Sequence, residues 1–217
     1  MVFHLPKVYP ITDTNLSGLS HAEQIDRLIA GGATLIQLRD KHAAPRDFYR
    51  RAEAALQIAR KHDVRLIIND RVDVALALGA DGVHLGQTDM PVEAARRLLG
   101  ERVIVGISTH NLEQAKLAAN MPVDYVAFGP IFKTSTKENP DPIAGLEALR
   151  GVRTIVGALP VVAIGGITLA NAEEAWRAGA DSVSSIAALV SDPSRIQENM
   201  RQMLAKSQAD TGKVRPS

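Results

Sequence analysis

Cysteine is absent from the 217-residue sequence, and aromatic residues contribute only 4% of it. Without cysteine the chain can form no disulfide, thiolate metal site, iron–sulfur cluster or cysteine nucleophile, and this composition fits a reducing compartment. The few aromatic side chains provide little surface on which single-stranded bases could stack. These shortages exclude thiol chemistry and disfavour single-stranded nucleic acid as a partner.

An excess of charge of either sign is also lacking. Lysine and arginine total 25 and aspartate and glutamate total 24, which gives a formal net charge of +1. Binding to nucleic acid normally requires a basic surface, and this balance provides no sign of one. We therefore expect small molecules as partners, and no nucleic acid.

Long uninterrupted hydrophobic runs are missing as well. Residues Thr154–Ala172 form an uncharged run of membrane-spanning length, but three glycines and a proline interrupt it. The run is better interpreted as a loop, a short buried strand and a glycine turn. Residues Met1–Pro10 lack the basic region and apolar stretch of a secretory signal. We expect a cytoplasmic protein without a membrane partner.

Hydrophobic residues make up 46% of the sequence, enough for one substantial core. Between short apolar runs lie segments with helical periodicity, such as Ile25, Leu28 and Ile29, each long enough for a crossover helix. Strand and helix are therefore predicted to alternate. The eight predicted strands are Val8–Ile11, Thr34–Leu38, Arg65–Ile68, Gly82–Leu85, Val103–Ile107, Tyr125–Phe128, Val161–Ile164 and Ser182–Ile186.

Several helix boundaries carry recognisable signals. Ser20 and Glu23 have the spacing of a capping box, and Pro91 suits the first turn of a later helix. A glycine that stops a helix directly before a strand recurs at Gly31, Gly79 and Gly179. This recurrence indicates one βα unit used repeatedly.

Eight such units in residues 1–205 predict an α/β protein with a single (β/α)8 TIM barrel. No Gly-x-Gly-x-x-Gly motif follows the first strand, which weakens the alternative of an open dinucleotide-binding sheet. Residues 206–217 are polar, and we expect them to form a disordered C-terminal tail. The barrel predicts an active site at the C-terminal ends of the strands.

Polar residues are concentrated at those predicted strand ends. Because all the strands run in parallel, the residues that follow them should share one rim. They are Gln37, Arg39 and Lys41 after the second strand, Asn69 and Asp70 after the third, Gln87 and Asp89 after the fourth, Ser108 at the end of the fifth, and Thr134, Ser135, Thr136 and Lys137 after the sixth.

The cations after the second strand have two interpretations. Gln37 and Arg39 are two residues apart and share a face of the strand, and Lys41 follows at the mouth. Arg39 and Lys41 could bind an anion, or Arg39 could pair with Asp40 or Asp70 while Lys41 is solvated. Basic residues in a barrel mouth are unfavourable unless they are used, which favours the anion site.

The carboxylates also have two interpretations. Asp70 and Asp89 follow adjacent strands and offer the oxygen ligands that Mg²⁺ prefers. Each also precedes a predicted helix and could simply act as its N-cap. Asn69 could hold a ligand amine or hydroxyl, although asparagine is common in turns.

Three further features could contribute to the rim. The longest irregular connection, residues 129–141, could be a ligand-binding flap or a flexible polar loop. Gly165 and Gly166 could form a main-chain phosphate site or only a tight turn. Ser108 could donate to a phosphate, whereas His84 and His110 are expected to be structural rather than general bases.

Five motifs occur in an order that matches one known family. They are Gln37-Leu38-Arg39-Asp40-Lys41; Asn69-Asp70-Arg71; Gly82-Val83-His84-Leu85-Gly86-Gln87 with Asp89; Gly129-Pro130-Ile131-Phe132 with Thr134-Ser135-Thr136-Lys137; and Ala163-Ile164-Gly165-Gly166-Ile167. In this order and spacing the sequence resembles the thiamine-phosphate synthase family over nearly the whole predicted barrel.

The resemblance implies a transferase that joins 4-amino-2-methyl-5-hydroxymethylpyrimidine, supplied as its diphosphate, to a (carboxy)thiazole phosphate. Thiamine phosphate and diphosphate are the products, and diphosphate leaves before the thiazole nitrogen attacks. The resemblance implies Mg²⁺ held by Asp70 and Asp89, and catalytic roles for Arg39, Lys41, Ser108 and Lys137. The substrate-binding residues that it implies are Gln37, Leu38, Arg39, Asp40, Lys41, Asn69, Ser108, Thr134, Ser135, Thr136, Lys137, Gly166, Ile186 and Ala187.

One departure from the family pattern is Ala187, where the family usually has serine. A backbone contact to the thiazole phosphate survives that change, but a hydroxyl contact does not. A thiazole tautomerase of the same family is an alternative function, although it would not need the diphosphate-binding residues. A non-catalytic sensor of a phosphate ligand is another, because a fold alone does not fix function. The sequence leaves a homo-oligomer open.

Overall fold

The structure is a computed structural model that describes residues 4–134 and 141–211. Its strands form a closed parallel barrel in which each strand pairs with its neighbours in the sequence and β8 pairs with β1. The strands are β1 Val8–Thr12, β2 Leu35–Leu38, β3 Arg65–Asn69, β4 Gly82–Leu85, β5 Ile104–Thr109, β6 Tyr125–Phe128, β7 Val161–Ile164 and β8 Ser182–Ser185. The predicted (β/α)8 barrel is confirmed.

Helices lie between the strands and surround the barrel. They are α1 Thr14–Ser17, α2 His21–Ala30, α3 Pro45–Lys61, α4 Val72–Leu78, α5 Val92–Leu99, α6 Leu112–Ala118, α7 Gly145–Val156, α8 Ala172–Arg177, α9 Ala187–Val190 and α10 Ile196–Thr211, with a 3₁₀ turn at Pro193–Arg195. None of the helices within residues 4–134 and 141–211 has both the length and the apolar character needed to cross a membrane.

The predicted boundary signals are largely confirmed. Ser20 and Glu23 form the reciprocal capping box at the start of α2, and Gly79 ends α4 in the left-handed conformation at φ 61°. Pro91 directly precedes α5 rather than lying in its first turn. The short helix α1 was not predicted; the side chain of Asp13 accepts hydrogen bonds from two of its backbone amides.

Side chains alternate between two buried layers along each strand. Outward-facing residues such as Leu38 and Val83 pack against the helices. The barrel interior holds a smaller cluster that includes Tyr9, Ile67 and Tyr125. This alternation also turns Gln37 of β2, which is almost completely buried, toward the hydroxyl of Tyr9 inside the barrel.

The C-terminal helix corrects the prediction for part of the tail. Helix α10 continues to Thr211, so residues 206–211, which were expected to be disordered, are helical. The apolar spacing of Ile196, Met200 and Met203 explains the helix, because all three side chains are fully buried. Met200 packs against Gly31 at the end of α2. A Cβ added to Gly31 would lie only 2.6 Å from the Cβ of Met200.

Candidate active site

A cavity of about 840 Å³ opens at the C-terminal ends of the strands. The barrel places the ends of all eight strands at this rim, which is where the active site was predicted. The predicted site residues that line it are Gln37, Arg39, Lys41, Asn69, Asp70, Asp89, Ser108, Thr134, Gly166, Ile186 and Ala187. One cavity therefore collects residues that the sequence spreads over 151 positions, from 37 to 187.

Two predicted binding residues point away from the cavity. Leu38 is fully buried among the outer apolar side chains. The Asp40 carboxylate accepts hydrogen bonds from Arg51 at 2.7 Å and from the ring of His21 at 3.3 Å. Strand alternation and the following turn thus direct both side chains toward the helices, as expected for Leu38, and the binding role that the resemblance implies for these two residues stays a prediction. The predicted site residues Ser135, Thr136 and Lys137 lie outside the described residues.

Arg39 and Lys41, the cations that follow β2, are each held by a carboxylate. Nη1 of Arg39 donates to Oδ2 of Asp13 at 3.1 Å, and Nζ of Lys41 donates to Oδ2 of Asp70. Arg39 therefore pairs with neither Asp40 nor Asp70, and Lys41 is not simply solvated. Both side chains line the cavity and are partly exposed, so an anionic ligand can reach them.

Asp70 and Asp89 form a carboxylate pair at the ends of β3 and β4. Neither caps a helix: Arg71 and Pro91 occupy the cap positions of α4 and α5. Oδ2 of Asp89 instead accepts from the Gly86 amide at 2.7 Å. The capping interpretation is therefore wrong for both residues.

The backbone of Asp70 is strained, with φ at 63° in the left-handed region. Its amide donates to the His84 carbonyl at 2.8 Å, which fixes the end of β3 against β4. Strain of this kind persists where the surrounding structure holds a functional group in place. The fold thus uses an unfavourable conformation to direct the Asp70 carboxylate toward Asp89.

The carboxylate pair fits a divalent cation. Burial raises the pKa of Asp89, and a hydrogen bond with the Asp70 carboxyl group raises it further. Lys41 already contacts Asp70, so a second negative charge here is favoured only when further positive charge is present. In the part of the chain that the structure describes, no cluster of three or more metal-ligating side chains occurs. Two protein carboxylates suit Mg²⁺, which retains water and takes phosphate oxygens as its other ligands.

His84 of β4 and Ser108 of β5 line the cavity beside each other. Nε2 of His84 lies 2.8 Å from Oγ of Ser108, and Nδ1 lies 2.9 Å from the Tyr125 hydroxyl. Burial lowers the pKa of His84 to about 4, so its ring is neutral at pH 7. His84 has the structural partners that were expected for it, but it also lines the cavity. Its inward position between Val83 and Leu85 on β4 is the sequence signal that could have identified it.

His110 lies at the same rim after β5. Its Nδ1 lies 2.7 Å from the carbonyl oxygen of Gly129, which can only accept, so Nδ1 carries the proton. The Asp141 carboxylate lies 3.6 Å from the same nitrogen. These contacts connect the end of β5 to both sides of the segment that follows β6.

The glycine pair after β7 is required by close packing. Gly165 and Gly166 have φ of 91° and 68°. A Cβ on Gly166 would lie 2.5 Å from the carbonyl oxygen of Lys133, and one on Gly165 would lie 2.5 Å from Cα of Pro130. The pair thus allows the β7 turn to approach the backbone after β6, beyond what a tight turn alone requires.

The end of β8 completes the cavity. Ile186 and Ala187 line it next to the glycine pair, and α9 starts at Ala187. The Ser191 hydroxyl donates to the Ala187 carbonyl at 2.6 Å. The cavity is also lined by residues that were not predicted. Their position on an inward strand face or beside a predicted motif is the sequence feature that could have identified them. Examples are Ile11, Gly86, Thr88, Gln114, Lys133, Ser184 and Ala188.

Comparison with known proteins now identifies the family. The family described as thiamine monophosphate synthase matches residues 8–189, which span β1 to α9 and include every described residue of the predicted site. The chain belongs to the thiamine monophosphate synthase family.

Individual relatives agree with this assignment. The chain is 48% identical to the thiamine-phosphate synthase of Chloroflexus aurantiacus over 185 residues, 85% of each chain. It is 45% identical to that of Clostridium novyi over 185 residues, 85% of this chain and 90% of the relative. The solved thiamine phosphate pyrophosphorylase from Pyrococcus furiosus is 37% identical with a TM-score of 0.81, covering 92% of this chain and 96% of the other.

Proposed function

We propose that this chain is a thiamine-phosphate synthase: it transfers the hydroxymethylpyrimidine group from its diphosphate to the nitrogen of a thiazole phosphate. The observation that carries the proposal is that one cavity combines two cations, a carboxylate pair and a glycine turn. Arg39 and Lys41 suit a diphosphate, the carboxylates suit its metal ion, and the turn suits a second phosphate.

The pyrimidine is bound by neutral side chains at the floor of the cavity. Gln37 and Asn69 are almost completely buried there and present amide groups. An amide both donates and accepts, so it can recognise an aminopyrimidine without a charge. This assignment agrees with the position of both residues beside the cations that would hold the diphosphate.

Asp70 and Asp89 would hold Mg²⁺, which supplies Lewis-acid stabilisation of the departing diphosphate when it is bound. Arg39, Lys41 and Ser108 stabilise the same developing charge from the protein side. The family resemblance adds Lys137 to the residues that stabilise the departing diphosphate. Leaving-group departure of this kind yields a pyrimidine carbocation, so the reaction requires no protein nucleophile.

The thiazole phosphate is bound on the other side of the cavity. Gly166, Ile186 and Ala187 line that side, and Thr134 begins the segment that carries Ser135 and Thr136. Gly166 has no side chain, so its backbone can approach a phosphate closely. Ala187 can contribute a backbone amide although it lacks the hydroxyl usual in the family.

The cytoplasmic location remains part of this proposal and is supported by the cysteine-free composition. The relatives named above are synthases, which favours the synthase over the tautomerase and the sensor.

The proposal is tested by product analysis. The purified protein is incubated with the pyrimidine diphosphate, Mg²⁺ and either the thiazole phosphate or its carboxylated form, and thiamine phosphate is quantified by chromatography. A synthase forms thiamine phosphate only when both substrates are present. Isomerisation of the thiazole phosphate without the pyrimidine would support the tautomerase, and binding without turnover would support the sensor.

A further inference from the structure

A chain of buried side chains crosses the barrel interior from β2 to β5. Nε2 of Gln37 donates to the Tyr9 hydroxyl at 3.0 Å, and the Tyr9 and Tyr125 hydroxyls lie 2.9 Å apart. The Tyr125 hydroxyl lies 2.9 Å from Nδ1 of His84, and Nε2 of His84 lies 2.8 Å from Oγ of Ser108. Both ends of the chain, Gln37 and Ser108, line the active-site cavity.

Each side chain in this series of hydrogen bonds has one proton that it can donate to the next. Burial raises the pKa of Tyr9 and Tyr125, so both hydroxyls keep their protons. The neutral ring of His84 carries one N–H, on either Nδ1 or Nε2. The chain can therefore run in two directions, and the direction decides whether the Ser108 hydroxyl donates to His84 or to a ligand.

The amide of Gln37 selects one direction. Its Nε2 group can only donate, so the Tyr9 hydroxyl accepts from Gln37 and directs its own proton to Tyr125. Tyr125 then donates to Nδ1 of His84, and the ring proton lies on Nε2 and is donated to Ser108. The Ser108 proton is left to point into the cavity.

We propose that Gln37, Tyr9, Tyr125 and His84 form a directional hydrogen-bond chain that orients the Ser108 hydroxyl as a donor to the diphosphate. With Nε2 facing Tyr9, Gln37 offers its Oε1 acceptor to a ligand in the cavity. The amino group of the pyrimidine is a donor that favours this orientation. Pyrimidine recognition at Gln37 is thereby coupled to diphosphate binding at Ser108.

This inference rests on the proposed function, because that function places the pyrimidine at Gln37 and the diphosphate at Ser108. His84, Tyr125 and Tyr9 are positioning residues that act through Ser108. The reversed chain would present a Ser108 lone pair to a phosphate oxygen, which is repulsive. The same side chains in the same places can thus favour or oppose diphosphate, depending only on where the protons lie.

The direction of the hydrogen-bond chain is tested on the protein without any ligand. ¹⁵N NMR of histidine-labelled protein reports which nitrogen of His84 is protonated, and the His84→Gln variant assigns the signals. We expect only the Nε2–H form in the wild type. Gln37→Glu replaces the directing donor with a carboxylate that can only accept from Tyr9, so it should reverse the hydrogen-bond chain and populate the Nδ1–H form. Gln37→Met, which removes the donor but supplies no acceptor, and Tyr49→Phe, outside the hydrogen-bond chain, should keep the Nε2–H form.

The coupling is tested with Mg²⁺ and inorganic diphosphate as the probe in calorimetry. Ser108→Ala should weaken diphosphate binding about tenfold in the wild-type background. In the Gln37→Glu background the same change should weaken it less than about threefold, because the reversed hydrogen-bond chain directs the Ser108 proton to His84 instead of to the diphosphate.

The outcomes separate the two claims. An Nδ1–H signal in the wild type, or the Nε2–H form retained in Gln37→Glu, overturns the directional hydrogen-bond chain. An equal tenfold effect of Ser108→Ala in every background overturns the coupling. Failure of the wild type to bind diphosphate overturns the proposed function and the coupling with it, while the tautomer measurement still decides the chain by itself.

Discussion

Asp70, which follows β3, lies close enough to Asp89, which follows β4, to raise the pKa of the Asp89 carboxyl group. Lys41 contacts Asp70 from the adjacent strand β2. The carboxylate pair and one of the cations thus meet at one point of the rim. Carboxylates in this arrangement are explained better as metal ligands than as helix N-caps.

We expect Asp70→Asn and Asp89→Asn each to lower kcat by about 100-fold or more while thermal stability changes little, because each loses charge needed to hold Mg²⁺. Asparagine tolerates the left-handed backbone of Asp70, so the variant separates charge from conformation. Initial rates over a range of Mg²⁺ concentrations and thermal melts are compared with wild type. Unchanged Mg²⁺ dependence with full activity would contradict the assignment.

Gly166→Ala should raise KM for the thiazole phosphate and destabilise the fold by about 1–3 kcal/mol. The added methyl meets the Lys133 carbonyl at 2.5 Å, and φ is 68°. Gly100→Ala is the matched control, because Gly100 has φ of 81° with open space around it. Steady-state kinetics and urea unfolding are measured for both. Similar effects of the two changes would show that backbone strain alone explains Gly166.

Lys137→Ala should lower single-turnover synthase chemistry by about 2–4 kcal/mol in barrier, if Lys137 acts as a preorganised electrostatic donor to the leaving group. Affinity for the pyrimidine diphosphate should fall less, since we propose that Arg39 and Lys41 bind it as well. Rapid-quench rates and equilibrium binding, obtained on the same preparation, separate the two effects. A normal chemical rate would remove Lys137 from leaving-group stabilisation.

Acid should destabilise the protein through His84. Burial lowers the pKa of His84 from 6.5 to about 4, so between these values the unfolded chain takes up a proton that the folded protein does not. The stability that this histidine supplies is therefore complete above pH 6.5 and is lost progressively as pH falls toward 4. The expected slope is about 1.4 kcal/mol per pH unit.

Urea unfolding at pH 7, 6 and 5 measures this slope for the wild type and for His84→Gln. The variant should show a shallower slope; the slope that remains includes the contribution of His21, whose pKa is also lowered by burial. Identical slopes in the two proteins would mean that His84 is not held neutral by the fold.

The barrel could be predicted from the sequence because its signals are local. The run Gly82–Leu85 is apolar and bounded by turns, and it coincides with β4. Strand alternation also places Gln37 inward. The orientation of Asp40 could not be predicted, because its partners His21 and Arg51 come from two different helices and depend on how these pack.

The hydrogen-bonded contact between Tyr9 and Tyr125, inside the barrel, could not be predicted from the sequence either. Tyr9 and Tyr125 are 116 positions apart, and neither belongs to a motif at a strand end. Their contact exists only because the closed barrel brings β1 and β6 across the same interior. The sequence pattern thus predicts which residues reach the rim, whereas the partners that orient them depend on barrel closure.

The most direct test of the account is the stoichiometry of one reaction. Wild-type protein, the pyrimidine diphosphate, the thiazole phosphate and Mg²⁺ are followed together by ³¹P NMR. We predict one diphosphate released for each thiamine phosphate formed, with no thiamine phosphate when either substrate is omitted. Consumption of the thiazole phosphate with no diphosphate release and no thiamine phosphate would contradict the account.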